Sequence, residues 1–224
     1  MKIALIGGTG GIGRGLAYRW STKHEVIVGS RKIEKSKRAC EDYKRCLEEA
    51  GITQCKLLTS TNSMAASEAD VVLVCVPFEH VRDALEEVVD QLEGKVVISP
   101  VVPMRKEGER MVYEPPEEGS AAMFMRALLP ESTSLAAAFH SVPAKKLADL
   151  RETRTYDVVV CGQERAKRVA FQLARDAEVL RALDGGGLEN AHLVESLTPL
   201  LINIGKYNSL KNVGLRFISD HDTD

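Results

Sequence analysis

The chain has 224 residues, about one and a half times a ~150-residue domain, and is 44% hydrophobic and 28% charged, which supports a single large domain or a domain with an appendage and excludes a disordered chain. With 30 Lys and Arg against 32 Asp and Glu, the net charge of −2 provides no basic field for nucleic acid or an anionic membrane, so any bound anion has to be caught locally. No apolar run approaches the ~18 residues of a membrane span. The opening Met1-Lys2 lacks the pattern of an export signal, the five cysteines form no Cys-x-x-Cys pair, and the five histidines never fall at metal-ligand spacing. A cytoplasmic protein with reduced thiols and no metal site is expected.

In chain order, short β-rich runs alternate with longer amphipathic stretches, the signature of an α/β protein built from βαβ units around a parallel sheet. Residues 2–6 read as a strand, 11–23 as a helix, 25–28 as a strand, 33–50 as a long charged helix and 55–58 as a third strand. Residues 71–76 are continuously apolar, as a central parallel strand buried on both faces has to be, and Pro77 ends them. A helix over 78–92 and a strand over 96–99 follow. Residues 100–116 hold four prolines and mixed charge and read as a surface excursion that reaches over something. Further strands are expected at 134–139, 157–161 and 179–182, and helices at 164–176 and from 188 to about 207, with the glycine triplet 185–187 before the last. The acidic tail Asp220 to Asp224 is expected to fray.

The strongest local signal is Gly7-Gly8-Thr9-Gly10-Gly11-Ile12-Gly13, in which Gly8, Gly10 and Gly13 match G-x-G-x-x-G directly after a strand and at the opening of a helix. In this placement Gly8 makes a tight turn, Gly10 admits a pyrophosphate and Gly13 allows close helix packing, while the helix N-terminus supplies amide donors. The fold class that follows is a Rossmann-type, doubly wound, mainly parallel sheet with a smaller, largely helical C-terminal domain. Where an NAD site places an acid at the end of the second strand, this chain has Gly29-Ser30-Arg31-Lys32. With no carboxylate to repel it, a 2′-phosphate meets the Ser30 hydroxyl and the Arg31 guanidinium, with Lys35 one turn on, and the cofactor is expected to be NADP. The alternative is a solvated basic helix start, which the helix dipole disfavours.

Val76-Pro77-Phe78-Glu79-His80 falls at the carboxyl edge of the sheet, where open α/β sheets bind ligands, so Val76 and Phe78 are candidates to flank a nicotinamide. Together with this edge, the Gly-Gly-Thr-Gly at 7–10, Val28-Gly29-Ser30-Arg31, Ser99-Pro100, Ala138-Phe139-His140 with Pro143-Ala144, and above all the string Val194-Glu195-Ser196-Leu197-Thr198-Pro199-Leu200 followed by Asn203, the chain resembles the coenzyme F420-dependent NADP oxidoreductases of methanogenic and related archaea. The resemblance spans nearly the whole chain. It implies direct hydride transfer between a reduced deazaflavin and NADP, commonly in a homodimer, with an NADP-binding domain over 1–143 and a smaller domain over 144–224 that completes the F420 cleft.

By position, the resemblance implies that Thr9, Gly10, Gly11 and Ile12 cradle the pyrophosphate and that Ser30, Arg31 and Lys35 hold the 2′-phosphate. Phe78, Arg82 and Ala144 line the nicotinamide half, and Val213 closes over it. His140, Pro143, Thr198 and Asn203 lie near the deazaflavin, with Lys206, Lys211 and Arg216 at the rim for its anionic tail. His140 and Asn203 have bland readings as well, a satisfied buried histidine and a helix-to-helix hydrogen bond. Hydride transfer between carbon centres needs positioning rather than a nucleophile, so no catalytic acid or base is assigned. The alternatives are a small NADP-dependent imine or β-hydroxyacid oxidoreductase, and a non-catalytic NADPH sensor. The apolar stripe of Leu193, Leu197, Leu200, Leu201 and Ile204 is expected to pack on the chain's own sheet, a second subunit being the other possibility.

Overall fold

A computed structural model describes residues 1–220. The chain runs β1 (Lys2–Ile6), α1 (Gly11–Trp20), β2 (Glu25–Ser30), α2 (Ile33–Glu49), β3 (Leu57–Thr61), α3 (Asn62–Glu68), β4 (Val71–Val74), α4 (Val81–Glu86), β5 (Val96–Ser99), β6 (Met104–Glu107), β7 (Arg110–Tyr113) and α5 (Ala121–Leu128). It continues through β8 (Ser134–Ala137), α6 (Ala144–Leu147), β9 (Tyr156–Gly162), α7 (Glu164–Asp176), β10 (Leu180–Asp184) and α8 (Ala191–Tyr207). Eight strands form one sheet in the order β10-β9-β8-β5-β4-β1-β2-β3. All pairs are parallel except β8 with β9. The strands of residues 144–220 therefore extend the sheet of the first part, and α8 follows them. The tail beyond Asp220 lies outside the described residues.

Both faces of the sheet are covered, which is why residues 3–6 of β1, all of β4 and residues 96–98 of β5 are continuously apolar rather than alternating. Leu5 and Leu73 face a core closed by Leu16, Trp20, Leu47 and Leu173, whereas Ile6, Val72 and Val74 face one closed by Leu85, Leu92 and Met125. Trp20 ties α1 to α7 by donating its indole N–H to the Leu173 carbonyl at 2.8 Å, and its ring meets Phe139 edge-on at 5.6 Å.

Several expectations shift. The stretch 78–92 is not one helix but a 3₁₀ turn over Phe78–His80, the short α4, and a second 3₁₀ turn over Val89–Gln91. The changes in pitch keep Leu85, Val88 and Leu92 buried. α3 and α5 are short helices of 7 and 8 residues, and each is started by a capping hydroxyl: Thr61 accepts from the Met64 amide at 3.4 Å and Ser120 from Met123 at 3.0 Å. The excursion over 100–116 contains the antiparallel hairpin β6–β7, which lies against α8.

The leucine stripe of α8 is the main correction. Leu201 is buried, but Leu193 and Leu200 are more than half exposed. The helix instead buries Val194, Glu195, Leu201 and Gly205, a stripe offset by one residue from Leu193, Leu197, Leu200 and Ile204. The offset follows from Glu195, whose fully buried carboxylate accepts from the Ala121 and Ala122 amides at 2.8 and 3.0 Å and from the Tyr113 hydroxyl at 3.0 Å. One side chain thus caps α5 and pins both the hairpin and α8. Burial raises its pKa to about 7 against the pull of these donors.

Glu195→Ala should leave two amides unsatisfied and cost about 3 kcal/mol, a loss of roughly 6–12 °C in melting temperature by calorimetry. A change of a degree or less would deny it this role.

Candidate active site

The glycine loop is shaped by steric necessity. Gly7 makes the turn, with φ of 70°, rather than Gly8 as the motif suggests. Gly8 is pressed between strands: a Cβ there would lie 2.7 Å from the Leu5 Cβ, and its amide donates to the Leu5 and Gly29 carbonyls, each at 3.0 Å. A Cβ on Gly13 would come within 2.5 Å of the Gly8 carbonyl oxygen, so α1 can rest on the turn only without one. The Tyr43 hydroxyl donates to the same oxygen at 3.0 Å and fixes the loop from α2. Gly10 is the N-cap of α1 and has no side-chain cap, and a Cβ there would find its nearest neighbour 3.9 Å away. The leading amides of α1 thus point into open space, where the dipole end and uncapped N–H groups suit a pyrophosphate.

At the end of β2, Ser30 is buried and its hydroxyl accepts from the Lys32 amide at 3.4 Å, whereas Arg31 and Lys35 are exposed at the start of α2. Residues 29–32 at the end of β2 hold no acid, and the first in the stretch is the exposed Glu34 in the first turn of α2.

A cleft of about 720 Å³ opens from the loop across the carboxyl edge of the sheet. Its walls bring together Gly10, Gly11 and Ile12 with Val76, Phe78, His140, Pro143, Ala144, Thr198 and Val213, residues drawn from five separate stretches of chain. Ala144 sits 3.6 Å from where a Gly11 Cβ would be, joining α6 to the loop. Thr9 faces a neighbouring groove instead. Val101, Val102 and Ile202 add an apolar lining, and Ser141 also borders the cleft.

His140 is placed by its neighbours. Phe139, a bulky residue at φ 70°, turns the chain out of the sheet after β8, and its buried ring against Trp20 holds that strained backbone. The Thr198 hydroxyl donates to the His140 carbonyl at 3.0 Å, fastening the turn to α8. The imidazole is only 6% exposed, yet neither ring nitrogen makes a hydrogen bond of good geometry. Burial pushes its pKa down to about 3, opposed only in part by the Ser99 backbone, so the ring is neutral. A buried, unpartnered donor and acceptor on a cleft wall is what a flat heterocycle with polar edges requires, and together with the uncapped α1 it passes the test of fit for a dinucleotide beside a second ring system.

Three candidates are used otherwise. The Asn203 amide is consumed by the hairpin, donating to the Met111 carbonyl and accepting from the Met111 amide, both at 2.8 Å, and it does not line the cleft. The Arg82 guanidinium lies 4.9 Å over the Phe124 ring, whose edge meets Phe78 at 5.4 Å, so Arg82 backs the wall without lining it. Lys206 reaches the cleft rim but is paired with the Glu109 carboxylate.

The seat of Val213 is a feature that spacing alone did not reveal. After α8 the chain crosses beside β9: the Asp157 amide donates to the Leu215 carbonyl at 2.8 Å, and the buried Asp157 carboxylate accepts from the Phe217 amide and, at 2.8 Å to each oxygen, from Arg181. Gly214 passes against the Tyr156 ring, where a Cβ would overlap it. The strap so anchored lays Val213 along the cleft.

The fold and the loop define a dinucleotide-binding α/β protein. Residues 2–103 match the family described as NADP oxidoreductase, coenzyme F420-dependent. The chain is 37% identical over 222 residues to the F420-dependent NADP reductase of Methanocaldococcus jannaschii, covering 96% of this chain and 97% of that one. It is 40% identical over 221 residues to that of Methanothermobacter thermautotrophicus, covering 96% and 94%. Among solved structures, a candidate F420-dependent NADP reductase from Arthrobacter sp. FB24 superposes with a TM-score of 0.80 at 22% identity over 98% of this chain and all of that one. An imine reductase of Streptomyces aurantiacus shares the fold at a TM-score of 0.59 and 15% identity, covering 92% of this chain and 62% of that one. The chain belongs to the F420-dependent NADP reductase family.

Asp157→Asn should weaken the seat of the strap, raising the Michaelis constant of the ligand under Val213 by about tenfold and exposing residues 208–220 to limited proteolysis. An unchanged Michaelis constant and digestion pattern would make the strap irrelevant to the cleft.

Proposed function

We propose that this protein catalyses direct, reversible hydride transfer between coenzyme F420 and NADP. The observation that carries the reading is the continuity of one cleft from the uncapped N-terminus of α1 to the buried, unpartnered His140, within a chain that shares 37–40% identity with reductases of that name. Thr9 to Ile12 take the pyrophosphate, and Ser30, Arg31 and Lys35 take the 2′-phosphate. Val76, Phe78 and Ala144 flank the nicotinamide. His140, Pro143 and Thr198 receive the deazaflavin, and Val213 closes the site. Residues 1–143 act as the NADP-binding part, and residues 144–224 complete the cleft.

When bound, the deazaflavin and nicotinamide supply the carbon centres between which the hydride moves. What the chain adds is alignment and dryness: the backbone turn at Phe139, the Thr198 anchor and the strap hold the walls so that two rings can stack at ~3–3.5 Å without water between them. His140 acts as a neutral hydrogen-bonding group and not as a proton carrier.

The partners are these two small molecules, with no role for nucleic acid or membrane. No helix among the described residues is long and apolar enough to cross a membrane, and the five cysteines are free, which supports a cytoplasmic setting. The exposed Leu193 and Leu200, in line with Leu197 and Ile204 on α8, support a homodimer formed through that helix. Sedimentation of the Leu200→Glu variant as a monomer beside a dimeric parent is the expected result.

Purified protein with oxidised F420 should bleach the absorbance near 420 nm rapidly with NADPH and slowly with NADH. Absence of bleaching despite NADPH binding would reject the reading.

The buried histidine also fixes a pH dependence. In the unfolded chain its imidazole titrates near 6.5, whereas in the fold it stays neutral to about 3. Its contribution to stability is therefore complete above 6.5 and is lost as pH falls between those values. The melting temperature of His140→Gln should fall less steeply than that of the parent from pH 6.5 to 4; parallel slopes would contradict this.

A further inference from the structure

Two walls of the cleft come from separate parts of the chain: α6 presents Ala144 and Lys145, and the strap presents Val213. α6 is a single turn of four residues, too short to hold its own shape in water, so its place depends on ties from outside. One tie comes from α1. A Cβ on Gly15 would lie 2.5 Å from the Leu147 Cβ, so the two helices touch closely. The half-buried Arg19 then donates from Nε to the Leu147 carbonyl at 3.0 Å and from Nη2 to the Asp149 carbonyl at 2.6 Å.

The other tie joins α6 to the strap, and it runs through a carboxylate. Glu152 stands in the loop between α6 and β9 and is 7% exposed. Its Oε2 receives the Lys146 ammonium of α6 at 2.9 Å and the Tyr156 hydroxyl, from the start of β9, at 3.2 Å. The Tyr156 ring is the surface on which the strap rests: a Cβ on Gly214 would come within 2.3 Å of Tyr156 Cδ1 and 3.5 Å of Pro143 Cδ. Gly214, next to Val213, is thus clasped between that ring and the N-cap residue of α6. Arg154 meets Glu152 from the same loop, donating from Nε to Oε1 at 2.9 Å and from Nη2 to Oε2 at 3.1 Å. Arg154 and Lys146 hold the Glu152 carboxyl well below the usual carboxylate range, so it stays charged. Arg154 alone balances that charge; the contacts to Lys146 and Tyr156 are the ones that link two walls. Lys146, Glu152 and Tyr156 all lie outside the lining of the cleft.

We propose that Glu152 is a positioning residue for hydride transfer: through Lys146 on one side and Tyr156 on the other it sets the spacing between α6 and the strap, and so the gap in which a ring beside Ala144 is held under Val213. The inference rests on the reductase reading above and adds to it residues that touch neither cofactor. Its physical basis is the steep dependence of such a reaction on alignment, in which a displacement of ~1 Å costs on the order of a hundredfold in rate.

The test is single-turnover bleaching of oxidised F420 at saturating NADPH, with rate constant and amplitude recorded separately, in the parent, Glu152→Ala, Lys146→Met, Tyr156→Phe and the Lys146→Met/Tyr156→Phe double variant. Lys146→Met and Tyr156→Phe nearly conserve volume, and the phenyl ring still seats Gly214, so these two carry the test if Glu152→Ala folds poorly. Each single variant should lower the rate constant about tenfold. The affinity for 2′,5′-ADP, which occupies only the adenosine end, should stay unchanged. The double variant should be no slower than the slower single one, because a bridge cut at one arm is already broken. A merely structural role would lower the amplitude, which counts folded sites, and leave the rate constant alone. Rate constants within about twofold of the parent in both volume-conserving variants, or losses that multiply in the double variant, would overturn the bridge. A parent that fails to bleach F420 would overturn the reductase reading itself, an outcome distinct from failure of the bridge in an active parent.

Discussion

The approach of α1 onto the β1 turn is the contact on which the rest depends. Gly13 meets the Gly8 carbonyl so closely that it tolerates no side chain, and Gly8 is itself pressed against Leu5. That contact brings the uncapped start of α1 to the carboxyl edge of the sheet, and the Tyr43 hydroxyl bond to the same carbonyl couples it to α2. The proposed nucleotide site is built around this point: the amides at the start of α1, the end of β2, and the cleft that opens towards Val76 and Phe78. A parallel sheet makes the arrangement possible because it gathers the ends of several strands at one edge.

The opposite wall of the cleft is held by polar anchors between residues distant in sequence. Glu195 ties α8 to the start of α5 and to the hairpin, Thr198 ties α8 to His140, and Asp157 with Arg181 seats the strap that carries Val213. These groups are buried or partly buried, where a satisfied hydrogen bond defines one geometry and a missing one is costly. Such a wall suits a reaction whose barrier is lowered by alignment, because the two rings need fixed spacing and exclusion of water more than an acid or a base.

Much of this was legible in the residues. The central strands β1, β4 and β5 were marked by apolar runs because both faces of the sheet are covered, and the phosphate loop followed from glycine spacing in the right context. The residues of the C-terminal string did lead to the cleft at Thr198. What was hidden depends on distant partners. Asn203 is taken by Met111, 92 residues away, and the rotation of α8 is set by Glu195 through amides 73 and 74 residues away. The helix carries two apolar stripes offset by one residue, and periodicity cannot choose between them. α3 and α5 escaped because helices of 7 and 8 residues are too short to establish a period, although Thr61 and Ser120 mark their starts.

The central claim is that the chain positions two rings for transfer of a hydride directly from one carbon to the other. It is tested most directly with NADPH deuterated at the transferring position of nicotinamide C4, reacted with oxidised F420 in ordinary water and analysed by mass spectrometry of the reduced deazaflavin. The deuterium should arrive quantitatively at C5 of the deazaflavin. Loss of the label to solvent would mean that the hydrogen passes through an exchangeable group, and would contradict a site that works by alignment alone.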